Sequence, residues 1–452
     1  MQADAGDPRS GTDRPVAAWA GLAIAATLVV LAVTLPRLLD WQVYSHANPS
    51  PDDVPPLHSL WEPKLGPGTV PALLIAVLGW RYALAWVERL SWPRLLMTTY
   101  LVGLAWLLSL AYVDGAAGIS RVLGNPYEYL ETARATSDIS AMLQEYVDRI
   151  PYAASDNWVT HVAGHPPGAL LFFVFLDRLG LAADFSAGLV VTAIAASSTV
   201  AVLVALRALG AETSARRAAP FLVLGPAALW TAVSADALIA AVAAWGLAAL
   251  ALAGTTRNGR GRMVVWSVVA GLLLGYCVMM SYGMPLLGLL AVGVLVAARA
   301  WQPLVVSALS ASAVVLLFAA GGFSLWEAFP VLQERYWEGV AADRPASYWM
   351  WANLAALTLC AGPLLVAGLG QLLSGWRQAE RAVLLLVGAA ASAIAIADLS
   401  RMSKGEVERI WLPFVPWLLL STALLPERWR RPGLAAQMGV ALLLQHLLYT
   451  SW

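Results

Sequence analysis

The chain has 452 residues, 60% hydrophobic and only 12% charged, with a mean hydropathy of +0.68. Soluble globular chains carry about 25% charged residues, so a soluble fold is excluded. Lys+Arg and Asp+Glu both number 28, which leaves no net basic charge to draw a nucleic acid backbone, and no basic stretch is interleaved with stacking aromatics. The two cysteines, Cys277 and Cys360, lie in apolar runs without CxxC or Cys/His ligand spacing and carry no redox or metal signal.

Residues 1–15 balance acids against arginines and read as a disordered cytoplasmic N-terminus. The apolar stretch that follows is not succeeded by a small-residue cleavage site, so it reads as a retained first span. Runs long enough to cross a bilayer occur at 16–36, 67–87, 95–113, 184–206, 218–234, 236–254, 263–282, 284–299, 303–322, 349–371, 381–398, 409–425 and 433–450. The expectation is an all-α polytopic membrane protein: one membrane domain over 16–452 with about 13 transmembrane helices.

Arginines in short loops are retained in the cytoplasm, and those near 81–94, 207–217, 257–262, 299, 377–381 and 428–431 share one side if residues 166–180 do not cross. That stretch, PPGALLFFVFLDRLG, is shorter than the roughly 20 residues a span needs. It reads as a re-entrant or interfacial helix started by Pro166 and Pro167. The outer face then receives four polar segments, 37–66, 114–165, 323–348 and 399–408, and four of the five histidines. The 114–165 segment is long for a structureless connection and predicts one or two amphipathic helices on the membrane surface.

Several residues in these segments could carry chemistry. His161 and His165 lie four apart, but the proline after His165 pushes it out of the helical region, so a shared metal on one turn is disfavoured. His165 reads either as part of a helix-entry turn or as a donor to a phosphate or sugar oxygen. Asp114, in AYVDGAAG, sits at the outer end of the third span, and Asp40, in LLDW, at that of the first. Each is either a solvated loop acid or a general base for an acceptor hydroxyl, and Glu128 in PYEYL is a third candidate. Asp236 stands near the start of a helix, where the dipole alone explains an acid. Lys404, Glu406, Glu408 and Arg409 crowd above Pro413 and Pro416, as structural ion pairs or as a cationic seat for a lipid-linked phosphate. The stretch WEAFPVLQERYWEGVAADRPASYWMW, with Arg335 and Trp337, offers aromatic faces to a carbohydrate or caps the bundle.

The order of boundary acid, long loop, HPP turn, many spans and a late Arg-Pro segment resembles the GT-C glycosyltransferases. It is most similar to their protein mannosyltransferase and aminoarabinose transferase branch, including actinobacterial members. The resemblance implies a polyprenyl-phosphate sugar donor, an acid in the first large outer loop as base, and a following HPP element. On this chain those positions fall on Asp114, on His165-Pro166-Pro167, on Asp236, and on Arg409 with Pro413 and Pro416. Two features depart from the family: its acid follows the first span, whereas Asp114 follows the third, which makes Asp40 the acid by position, and a pair of adjacent acids is missing at Asp114.

The expected activity is transfer of the sugar to a glycan, lipid or protein acceptor at the outer face of the plasma membrane. Asp114 or Asp40 is the expected base, with His165, His161, Glu128, Asp236, Lys404, Glu408, Arg409, Arg335 and Trp337 as donor or substrate contacts. No metal or other cofactor and no nucleic acid partner is expected. A lipid or small-molecule transporter, or a non-catalytic subunit of envelope assembly, are the alternatives. Acids gathered at the rim and not at mid-span argue against ion-coupled transport.

Overall fold

A computed structural model describes residues 15–257 and 259–450. The expected disorder of residues 1–15 falls, but for Pro15, outside them. Helices make up nearly all of the regular structure, and one short ladder joins Ser59–Trp61 to Leu448–Thr450, with Ser59 opposite Thr450. The described residues contain eight helices long and apolar enough to cross a membrane: Val16–Leu38, Thr69–Arg89, Trp92–Asp114, Asp184–Ala208, Ala235–Thr255, Arg260–Val278, Gln302–Ala320 and Arg381–Leu399. The protein is an all-helical integral membrane protein.

Five further expected spans are interrupted or polar. Gly225 and Pro226 separate Glu212–Val223 from the turn Ala228–Thr231. Met284–Ala298 is short, and 409–425 is divided among Val407–Ile410, Val415–Leu418 and Leu419–Leu424. Ala346–Ala361 and Leu364–Gly375 meet at 104° across Gly362 and Pro363. Glu427–Leu447 is continuous but starts with Glu427, Arg428, Arg430 and Arg431. Proline and glycine explain the breaks, because one lacks the N–H a helix needs and the other the entropy advantage of a side chain.

Lipid gives apolar helices no hydrophobic reason to associate, so close contact between small residues must hold the bundle. In Arg260–Val278, Gly271 and Gly275 lie against the backbone of Ser307 and Ala311. A Cβ on Gly271 would sit 2.3 Å from the Ser307 carbonyl oxygen. Ala235–Thr255 is the most enclosed span and Thr69–Arg89 one of the most peripheral. Buried apolar residues form one cluster from Ala18 to Leu448, and a smaller one surrounds Tyr348 and Trp349.

The two ends of the bundle differ. At one end arginines hold the helix ends together. Arg216 Nη1 donates to the Val87 and Leu90 carbonyls at 2.7 and 2.9 Å, Arg207 lies over Trp92, and Arg381 donates to Val296. At the other end, Tyr348 Oη donates to Ala32, the Gly68 N–H donates to Tyr112, and the short ladder closes against Lys64 and Asp114.

Helix Pro167–Arg178 belongs wholly to this loop-rich end. Its start is fixed by Gly168 N–H donating to the Met279 carbonyl at 2.7 Å, and Arg178 donates to Ser137 at 3.1 Å. Twelve residues at about 1.5 Å each cover roughly 18 Å, too little for a hydrocarbon core of about 30 Å. Beside it lie the short helices Tyr129–Ala135 and Ile139–Gln144, the latter capped by Asp138 accepting from Ser140 and Ala141. Leu325–Glu338 completes this layer with Arg335 turned inward.

This arrangement predicts an accessibility pattern. Cys277 and Cys360 are buried, so a cysteine introduced at Asn157 or Ala183 is the reactive thiol in its variant. Both should react with a membrane-impermeant maleimide from one side of sealed vesicles, and Arg257→Cys from the other. Labelling of Asn157→Cys and Ala183→Cys from opposite sides means that Pro167–Arg178 crosses.

Candidate active site

Three distant segments converge where the bundle meets its loop layer. Asp236 is placed by a sharp turn: Val233 has φ +66°, a left-handed conformation that strains a β-branched residue. Ser234 then caps helix Ala235–Thr255 by accepting from the Ala237 N–H at 3.1 Å. Arg409 lies on the single turn Val407–Ile410. Glu128 ends a turn in which its N–H donates to the Asn125 carbonyl, and His161 follows on Thr160–Ala163, tied back by its N–H to Tyr127.

Arg409 is the centre of this group and is 3% exposed. Its Nε stands 2.8 Å from Asp236 Oδ2, its Nη1 3.4 Å from Glu128 Oε1, and its Nη2 3.2 Å from His161 Nδ1. Because a guanidinium only donates, His161 Nδ1 accepts and the imidazole proton sits on Nε2, 3.5 Å from Glu128 Oε1. Burial holds His161 well below the ordinary histidine range, with Arg409 adding to it. Burial also pushes the Glu128 carboxyl up, against the pull of Arg409, to about 7. Glu128 Oε2 is enclosed and has no hydrogen-bond partner among the described residues.

His165 joins through a second fixed tautomer. Its Nδ1 is 2.9 Å from the His161 carbonyl oxygen and 2.8 Å from Tyr129 Oη. A carbonyl cannot donate, so Nδ1 carries the proton and Nε2 presents a lone pair. Burial keeps the ring neutral. In this tautomer the neutral ring offers an acceptor, not a donor, at Nε2.

A second buried network stitches together segments 37–66, 323–348 and 399–408. Arg344 donates to the carbonyls of Tyr44, Ser45 and Lys404 and pairs with Glu406 Oε1 at 2.8 Å. Burial alone would favour neutral Glu406, but Arg344, then His58 and Arg409, hold it at about 2. Gly405 makes this possible with φ +87°, where a Cβ would sit 2.9 Å from Arg344 Nη1. Lys404 Nζ donates to the Arg344 carbonyl at 2.7 Å and lies over the Trp337 ring, so the ammonium expected to meet phosphate closes this network instead. Glu408 Oε1 accepts from the His58 N–H at 3.2 Å, and burial pushes its carboxyl up to about 7.

Of the four residues expected to converge, Asp236 and Arg409 touch and His165 joins them through His161, whereas Asp114 belongs to another set of contacts. Lys64 Nζ lies 2.9 Å from Asp114 Oδ1 and Arg121 Nη2 3.1 Å from Oδ2, and Gln445 Nε2 donates to Oδ2 at 3.3 Å. Arg121 also donates to the Thr450 carbonyl, so Asp114 anchors the terminal strand. Asp40 is exposed past the end of Pro15–Leu38 with φ +48°. Arg335, expected at a sugar, is buried and donates to the carbonyls of Ile150 and Trp158, which pins loop 150–158. Trp337 remains partly exposed beneath Lys404. Tyr129 and Arg344 gained no role from the sequence; Tyr129 carried only its adjacency to Glu128.

Among the described residues no group of three or more His, Cys, Asp or Glu side chains is arranged to hold a metal ion. No protein-family model matches the sequence, and no curated protein matches it. Among solved structures the chain is similar to the Archaeoglobus fulgidus oligosaccharyltransferase, in complex with Zn and sulfate, at 16% identity and a TM-score of 0.45 over 75% of this chain. It spans 53% of that protein's length. Fold and site together define an all-helical integral membrane protein with a buried guanidinium–carboxylate centre at its loop-rich end.

The ion pairs of Asp114 separate stability from chemistry. Asp114→Asn leaves two cations facing each other in a half-dry site and should lower folding stability by roughly 3 kcal/mol. Asp40→Asn should leave the unfolding midpoint in detergent unchanged. Equal midpoints for the two variants contradict the anchoring role of Asp114.

Proposed function

We propose that the protein is a GT-C-type membrane glycosyltransferase that moves a sugar from a polyprenyl-phosphate-linked donor to an acceptor at the extracytoplasmic face of the plasma membrane. The observation that carries this reading is Arg409, buried between Glu128 and Asp236 at the end of the bundle opposite the arginine-rich helix ends. The positive-inside rule makes that end extracytoplasmic.

In this reading the acceptor hydroxyl gives its proton to Glu128 Oε2 while its oxygen attacks the anomeric carbon. The bond from that carbon to the phosphate oxygen breaks, and the electron pair leaves with the polyprenyl phosphate. Arg409 meets the charge developing on the departing oxygen, and Asp236 keeps the guanidinium oriented. A base poised near 7 suits this task, since it is ionised at neutral pH yet still basic enough to take a proton. His165 Nε2 accepts from a sugar hydroxyl. A small, mostly apolar cavity of about 50 Å³, lined in part by Ala237, Ala240, Leu412 and Val415, lies along the same two segments that carry Asp236 and Arg409.

Purified protein given a polyprenyl-phosphate sugar and a membrane acceptor tests the reading. Glu128→Gln should lower kcat by about 10²–10⁴. Arg409→Gln should raise the donor KM and lower kcat, and Asp114→Asn should keep the activity of each folded molecule. The wild-type kcat should fall as pH drops through about 7. Undiminished turnover by Glu128→Gln removes this mechanism.

A further inference from the structure

The arginine-rich end of the bundle holds a cavity of about 220 Å³ that the transfer reaction does not use. Leu84, Val87 and Glu88 line it from Thr69–Arg89, Thr213, Arg216 and Arg217 from Glu212–Val223, and Arg430 from Glu427–Leu447. Charges around it do not balance. Arg216 is committed, with Nε 2.9 Å from Glu212 Oε1 and Nη1 on two carbonyls, and Arg207 Nε takes the other Glu212 oxygen at 3.0 Å. Glu212 is therefore satisfied without Arg217 or Arg430.

Of those two cations only Arg430 has an acid at the edge of ion-pairing reach, with Glu427 and Glu88 acting to keep its charge. Arg430 Nη1 is 4.0 Å from Glu88 Oε1, at the edge of ion pairing, and the Glu88 side chain is 67% exposed. Arg430 Nε is enclosed and has no hydrogen-bond partner among the described residues. Arg217 has neither hydrogen bond nor ion pair among them. Burial and the neighbouring Arg217 both act against the Arg430 charge. Like charges held together around a space of this size call for an anion, and guanidinium groups fit phosphate oxygens in pairs.

We propose that this cavity binds the phosphate of an anionic membrane phospholipid, seated between three helices on the membrane face opposite the candidate active site. A lipid fits better than a free ion because the cavity continues into apolar wall. Leu84 and Val87 line it, and the same helix exposes Trp80, Tyr82 and Trp86 in its last turns, as helices do at a bilayer interface. Basic pockets between transmembrane helices are suited to such headgroups. The inference rests on neither the donor nor the acceptor of the transfer reaction.

The test uses full-length protein in a neutral detergent, with the unfolding midpoint as readout. Dioleoylphosphatidylglycerol near 100 times its Kd should raise the midpoint by about 3 °C. Dioleoylphosphatidylcholine and inorganic phosphate should raise it by less than a third of that. Arg217→Glu, an exposed change that leaves the packing intact, should abolish the response, and Glu88→Gln should enlarge it. An equal response in Arg217→Glu, or an equal one to phosphatidylcholine, overturns the site. A full response to inorganic phosphate overturns the lipid and leaves a free-anion site.

Discussion

A guanidinium enclosed by protein is tolerable only if its donors are matched, and the loop-rich end of this molecule is organised around doing so for Arg409. Charge removed from water costs several kcal/mol, which is recovered only by close, well-directed partners. Glu128, His161 and Asp236 supply them, from two segments distant from Arg409 in the chain. Satisfying one side chain thus obliges the first long loop, the rim of the central helix and the segment before Pro413 to meet. The strained Val233 turn belongs to the same demand, since it sets the first turn of Ala235–Thr255 with Asp236 facing inward.

Arg344 does for the remaining loops what Arg409 does for the site. Its guanidinium collects carbonyls from Tyr44, Ser45 and Lys404 together with the Glu406 carboxylate, so three loop segments act as one lid over the bundle. The two networks are neighbours in sequence through Glu406 and Arg409, and Arg409 contributes to the depressed pKa of Glu406. A third device, Asp114 between Lys64 and Arg121, closes the terminal strand. Acids at this end therefore divide by partner: Glu406 faces Arg344 closely enough to stay ionised, whereas Glu128 and Glu408 are buried with one oxygen lacking a partner. A proton can be traded at neutral pH only in the second kind.

Much of the architecture was legible because lipid leaves a strong compositional mark. The eight apolar helices fall on expected spans, and Pro167–Arg178 is the short helix that its apolar length and its prolines predict. The broken spans were hidden, since an apolar run reads alike whether it is one helix or two meeting at 104°. At the site, His161, His165, Asp236 and Arg409 were visible as residues, and the pairing of Arg409 with Glu128, 281 positions away, was not. Depth of burial was invisible too. Asp114 looked like a base because it follows a span, yet Lys64 and Arg121 approach it from parts of the chain whose local pattern says nothing of Asp114. Lys404 looked like an open cation, and only the fold shows its ammonium turned onto the Arg344 carbonyl.

The central claim is that Arg409 is shared between the carboxylate of Glu128 and the donor phosphate. Affinity for a non-transferable polyprenyl phosphodiester, whose charge is constant above pH 4, measures this directly. Protonating Glu128 removes the competing charge, so binding should tighten as pH falls from 8 to 6, and Glu128→Gln should bind tightly at both. The same affinity at both pH values in the wild type, or an unchanged pH response in Glu128→Gln, contradicts the account.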